Sequence, residues 1–172
     1  MLRAAIPWTL LVLLVGVGVA QAEWSFRGLG AFGGHQSYAH GVSADGSVVV
    51  GSSLNSWNCD EAFRWQDGNM VSLGTLGGAH SCAWAASADG SVIVGYSKPS
   101  LTSSDYEAFR WEGGNMVGLG TFGAAESWAS DVSADGSVIV GQKMFHAPRW
   151  CYEAFRWENG EAVGLGTLGG SD

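Results

Sequence analysis

Beyond residue 22 the apolar positions come in short bursts separated by glycine-rich polar turns, and no stretch keeps the three-and-four spacing of an amphipathic helix. One burst is a run of β-branched residues, Val48-Val49-Val50, repeated as Val92-Ile93-Val94 and Val138-Ile139-Val140. Apolar groups on both faces place this strand inside a stack of sheets. A second burst alternates: Phe63 and Trp65 share a face with Arg64 on the other, and Phe109, Arg110, Trp111 and Phe155, Arg156, Trp157 do the same. Two further strands are expected in each unit. The first ends in residues 37–43, 82–87 and 128–133, and the fourth covers 70–73, 116–119 and 162–165.

The turns between bursts carry their own signals. Asp45-Gly46, Asp89-Gly90 and Asp135-Gly136 join the first strand to the second, since glycine takes the positive φ that a tight turn needs. Asp67-Gly68-Asn69, Gly113-Gly114-Asn115 and Asn159-Gly160 join the third to the fourth. Variable loops separate the second strand from the third.

These patterns recur with a fixed period. Ser-Ala-Asp-Gly-Ser begins at Ser43, Ser87 and Ser133, Glu-Ala-Phe-Arg-Trp at Glu61, Glu107 and Glu153, and Leu-Gly-x-x-Gly at Leu29, Leu73, Leu119 and Leu165. Spacings of 44 and 46 residues with four antiparallel strands per unit match one propeller blade. The fold class expected is therefore all-β, with three propeller-like blades at about 30–73, 74–119 and 120–165. Residues 26–30 repeat the fourth-strand sequence and would add a thirteenth strand. Both chain ends then offer the same strand rather than complementary ones, and three blades are fewer than the four to eight of closed propellers. An open or incomplete array follows, with unpaired edges available for self-association. Ser171-Asp172 fall where another hairpin would begin, which suggests a shortened copy of a longer array.

Residues 1–22 differ from the rest. Arg3 and the amino terminus precede an apolar stretch, and Ala20-Gln21-Ala22 supplies small residues around one polar one. This order predicts a secretory signal peptide cleaved after Ala22, with residues 23–172 as the exported repeat domain. An uncleaved anchor is the competing reading, but Pro7 and Thr9 shorten the apolar run. No later segment is long and apolar enough to span a bilayer. Without the leader, 7 basic residues stand against 16 acidic ones, a charge of −9, which argues against nucleic-acid binding. A chain of 27 Gly and 9 Trp fits many tight turns and large aromatic contacts. Cys59, Cys82 and Cys151 are odd in number, so at most one internal disulfide forms, with Cys59 and Cys82 the pair nearest in sequence. No Cys/His ligand cluster is present, and neither a structural zinc site nor a cofactor is expected.

The units resemble the bacterial extracellular HAF repeat, named for a His-Ala-Phe triplet before an aromatic residue, followed by a Leu-Gly-x-Leu-Gly-Gly element and a Ser-x-Asp-Gly hairpin. Leu73-Gly74-Thr75-Leu76-Gly77-Gly78 and Leu165-Gly166-Thr167-Leu168-Gly169-Gly170 are close matches, whereas Phe122 and Ala124 vary the remaining copy. Glu61, Glu107 and Glu153 stand where the triplet has His, so no role of that His carries over. The resemblance covers residues 26–172 and implies an exported repeat protein with a propeller-like fold and no established enzymatic activity.

Three aspartates in identical hairpins could suggest calcium or acid–base chemistry. Repetition favours a structural task, because Asp45, Asp89 and Asp135 each sit where a side chain bonds to turn backbone. The repeated Glu and Arg are expected to form a ladder between blades, or Arg to stack on Trp65, Trp111 or Trp157. A glycosidase would have to choose one of three equivalent glutamates. Non-repeating residues are better candidates for function: His35, His40, His80, His146, Lys98 and Lys143, and above all Trp57 and Trp150, whose loops could meet a protein or a glycan. The function expected is an exported, non-enzymatic interaction or assembly scaffold, with a carbohydrate-binding or glycosidase-type propeller as the alternative.

Overall fold

The computed structural model describes residues 25–146 and 150–167. The leader read from residues 1–22 lies outside them. Twelve strands form three four-stranded antiparallel sheets, each ordered as a simple meander. The first blade contains β1 (Gly33–Val42), β2 (Val48–Asn55), β3 (Asp60–Gln66) and β4 (Asn69–Gly74). The second contains β5 (Ser81–Ala86), β6 (Val92–Ser97), β7 (Glu107–Glu112) and β8 (Asn115–Gly120), and the third β9 (Glu126–Val132), β10 (Val138–Phe145), β11 (Cys151–Glu158) and β12 (Glu161–Gly164). There is no helix among the described residues, hence none long and apolar enough to cross a membrane.

The hairpins form as their sequences require. Asp67 and Gly68 both have positive φ, 52° and 84°, as do Gly113 with Gly114 and Asn159 with Gly160. That is the twist a two-residue hairpin between right-twisted strands demands. In the other hairpin Gly46, Gly90 and Gly136 take φ of 76°, 67° and 75° while the preceding Asp does not.

The core lies between blades. On one side of the first interface are Val48, Val50, Ala62 and Leu73, and on the other Ala83, Ile93 and Phe109, all buried. The second interface repeats this with Val92, Val94 and Ala108 against Ala129, Val132, Ile139 and Phe155. Each blade therefore has a trailing face, built on its β-branched strand, and a leading face, built on its Phe. Polar links cross the same boundaries. The N–H of Ala44 donates to Ala88 O at 3.0 Å, and that of Ala88 to Ala134 O at 2.9 Å. Buried Ser81 accepts from Ala62 N–H at 2.9 Å and donates to Gly74 O, and Ser127 does the same for Ala108 and Gly120.

Three expectations are corrected. Residues 26–30 form no strand: among the described residues each third strand is already paired with the fourth strand of its own blade, β3 with β4, β7 with β8 and β11 with β12. Cys59, Cys82 and Cys151 are all free. Cys59 lies in the β2–β3 loop with its thiol turned to Trp57 O at 3.7 Å, whereas the Cys82 thiol, on β5 of the second blade, meets His40 Nδ1 at 3.5 Å. The repeated glutamates do not bridge blades. Glu107 and Glu153 accept from Gly120 N–H (2.9 Å) and Gly166 N–H (3.1 Å), and Glu61 is bonded to Ser72, so each closes the end of its own fourth strand. Arg110 and Arg156 pair instead with Glu112 and Glu158 two residues along the same strand.

Candidate functional site

The repeated aspartates serve the turns. Asp45 Oδ1 accepts from the Ser43 hydroxyl (2.7 Å), the Ser47 N–H (2.9 Å) and the Ser47 hydroxyl (2.8 Å), while the Ser43 oxygen accepts from Val48 N–H. Asp89 and Asp135 repeat the arrangement. These donors hold all three carboxyls at about 2, the largest contribution coming from the Ser47 and Ser91 N–H groups for the first two and from the Ser133 hydroxyl for the third. A carboxylate so occupied, exposed and at the turn apex is a poor acid or base at neutral pH.

A cleft of about 470 Å³ lies between the second and third blades. Trp84, Tyr96 and Tyr106 line one side, and Glu126, Trp128 and Gln142 the other. Trp84 occupies a β-bulge, where the pairing of β5 with β6 skips between Ala83 and Ala85. A bulge re-aims a side chain off the regular alternation, and here it brings an indole to the cleft. His40, at the equivalent bulge of β1, stacks on Trp84 with ring centres 5.1 Å apart and planes 16° from parallel. Tyr96 and Tyr106 meet edge to face at 4.9 Å, and burial pushes both phenols above their usual range. They remain neutral hydroxyls, with one apolar face and one polar tip each. Lys98 Nζ lies 5.3 Å from the Tyr106 ring centre.

One acidic group is placed at the edge of this cleft. Glu126 accepts from Tyr106 N–H at 3.2 Å through Oε2, and its Oε1 lies 3.9 Å from His146 Nε2. A carboxylate oxygen of Asp105 falls within 4.8 Å of both. None of the three repeats, for Glu126 aligns with Gln36 and His80.

Trp57 and Trp150 do not line the cleft. Trp57 is 85% exposed in the β2–β3 loop of the first blade, and Trp150, 69% exposed, leans against His146 with ring centres 4.7 Å apart. Their surroundings put Trp150 beside the acidic cluster and leave Trp57 without an aromatic neighbour among the described residues. Trp84 and Trp128 escaped the sequence reading because they sit inside otherwise regular strands. A signal existed: they replace His40 and Tyr38 or Cys82 at aligned positions, so they are non-repeating residues within the repeat.

No family model matches the sequence, and no curated protein matches it. Among solved structures the chain is similar to a protein assigned as TolB from Agrobacterium tumefaciens, with a TM-score of 0.59 at 16% identity over 76% of this chain and 49% of that one. It is also similar to TolB from Acinetobacter baumannii, with a TM-score of 0.55 at 17% identity over 73% of this chain and 31% of the other. The chain thus spans half or less of the length of these structures. At such identity the likeness concerns the fold alone: this is an all-β chain of propeller-like blades in an open array.

Proposed function

We propose that this chain is an exported, non-enzymatic interaction scaffold whose stacked blades present the aromatic cleft between the second and third blades to a protein or glycan partner. The cleft carries the reading: indoles and neutral phenols converge there beside Glu126, Ser130 and Gln142, aromatic surface with convergent polar groups, the composition of a recognition surface. The repeated carboxylates are committed to turns and strand ends. Export is supported by the leader pattern of residues 1–22 and by the resemblance to the HAF repeat, which is itself part of this proposal. The test is co-sedimentation of the purified chain with cell-envelope material. Trp84→Ala and Trp128→Ala should each lower bound protein at least tenfold while Trp57→Ala does not, and equal retention by all three would refute the cleft.

A second reading, a glycan-processing cleft, is favoured by one observation. Asp105 and Glu126 are close enough for a carboxylate pair of the kind used in retaining glycoside hydrolysis, about 5 Å apart. Hydrolysis of aryl glycosides that disappears in Glu126→Gln would establish it. Binding to a glycan array without turnover would instead identify the partner of the scaffold.

A further inference from the structure

Blade stacking repeats at both interfaces, but the residues of the aromatic cleft do not. Where the second and third blades bring Tyr106, Glu126 and Trp128 together, the first and second hold Asp60, His80 and Cys82 at the aligned positions. The same core packing forms with either set, so the rings and the carboxylate answer a demand that stacking does not make. The two indoles come from different blades and do not pair with each other among the described residues. His40 covers one face of Trp84, which stays 45% exposed, and Trp128 has Tyr152 at 6.2 Å between ring centres. Each indole therefore keeps ring surface for what enters between them.

Glu126 is the charged residue on the cleft wall, and its two oxygens are not treated alike. Oε2 accepts from Tyr106 N–H at 3.2 Å, whereas Oε1 accepts no hydrogen bond among the described residues. His146 Nε2, at 3.9 Å, is beyond hydrogen-bond reach of it. The Glu126 side chain is only 12% exposed, and a carboxylate so far withdrawn from water needs donors on both oxygens. Asp105 brings a second carboxylate oxygen within 4.8 Å, which adds negative charge at the same spot. An N–H⁺ group would supply the donor and offset both charges. A neutral hydroxyl supplies the donor alone, an anionic group opposes the charge, and a quaternary ammonium can lie over the rings but has no proton to give. Lys98 does not fill this place, for its ammonium lies on the Tyr106 ring, 5.3 Å from the centre.

We propose that the ligand of this cleft is a glycan with free amino sugars, whose pyranose rings stack on Trp84 and Trp128 while one ammonium donates to Glu126 Oε1 and faces Asp105. Indoles suit the apolar C–H faces of a pyranose, and Ser130 and Gln142 offer hydrogen-bonding groups to its hydroxyls. The cleft volume of about 470 Å³ falls within the roughly 300–1,000 Å³ of small-ligand sites. With 16 acidic residues against 8 basic ones, the chain attracts a cationic glycan and repels an acidic one. This inference rests on the cleft being the recognition surface and adds the chemistry of what it recognises.

The test is isothermal titration calorimetry of the purified chain, at neutral pH and low salt, with β-linked oligomers of glucosamine, N-acetylglucosamine and glucose of equal length. The glucosamine oligomer should bind at least about tenfold more tightly than the other two, the scale of one charge-assisted hydrogen bond, and added salt should narrow the gap. Glu126→Gln keeps an acceptor for Tyr106 N–H and should bring the three affinities together. Asp105→Asn should narrow the gap as well, and it takes the place of Glu126→Gln if that variant loses the wild-type far-ultraviolet spectrum. Trp128→Ala should weaken all three oligomers. Equal affinities in the wild type, or a preference that survives the carboxylate variants, overturns the role of the amine and leaves the cleft as a recognition surface. Binding that Trp128→Ala does not change overturns the stacking. If no oligomer binds while Trp84→Ala still lowers retention on envelope material, the glycan is overturned and the cleft takes a protein. If that retention is also indifferent to Trp84→Ala, the cleft reading falls with it.

Discussion

Val50, Val94 and Val140 occupy the same position of the same strand in three blades, and only their cover differs, which makes them an internal measurement of what blade stacking contributes. Val94→Ala removes two carbons from a fully buried site between the second and third blades. Lost transfer energy is about 1.5 kcal/mol at roughly 0.8 per buried carbon, and incomplete closure of the space adds up to roughly 1 more. Val50→Ala should cost the same, since it is equally buried in the first interface. Val140→Ala, on an open face in the single chain, should stay within about 0.5 kcal/mol. Urea unfolding of the three variants at low protein concentration reads these differences directly, and the slope with denaturant should be unchanged. Three equal losses at low concentration would refute the argument, for they would mean that the interfaces between blades are not where stability resides.

The two kinds of turn glycine give a second contrast. Gly46→Ala meets open space and loses only the roughly 1–2 kcal/mol of a side chain in the left-handed region, whereas Gly90→Ala adds a collision with Val48 and should lose more in the same thermal melt. The turn aspartates predict a defined acid response. Their folded pKa of about 2 lies below the 3.8 of a free aspartate, so their contribution is complete above pH 4 and is lost as pH falls towards 2. A triple Asp45, Asp89 and Asp135→Asn variant should show a flatter stability profile between pH 4 and 2 than the wild type, and parallel profiles would remove the carboxylates from this role. Ser81→Ala leaves the Ala62 N–H and the Gly74 carbonyl without their shared partner in a buried seam, and a loss of about 1–3 kcal/mol is expected on chemical denaturation.

Much of this molecule is written locally. The two-residue turns at Asp67-Gly68 and Gly113-Gly114, the alternation of Phe63, Arg64 and Trp65, and the β-branched runs each need only neighbours in sequence, so the strands and the blade-sized period are legible without a structure. The role of Asp45 was legible for the same reason, since every partner of its carboxylate lies within two residues. What required the tertiary structure is everything that depends on a neighbour one blade away. The acidic cluster joins Asp105, Glu126 and His146 across gaps of about twenty residues each, and the cleft draws Trp84 and Trp128 together by a bulge and by the stacking of two sheets. The glutamates of Glu-Ala-Phe-Arg-Trp look from the sequence like rungs between blades, but the chain folds back through a two-residue turn and gives them the end of their own fourth strand first. The cysteines show the same limit: proximity in sequence places Cys59 near Cys82, but a loop of one blade and a strand of the next turn their thiols to different partners. Sequence alone determined three equivalent blades. Only their packing decided which faces are filled and which stay open, because a face is defined by what lies against it and not by the residues that compose it.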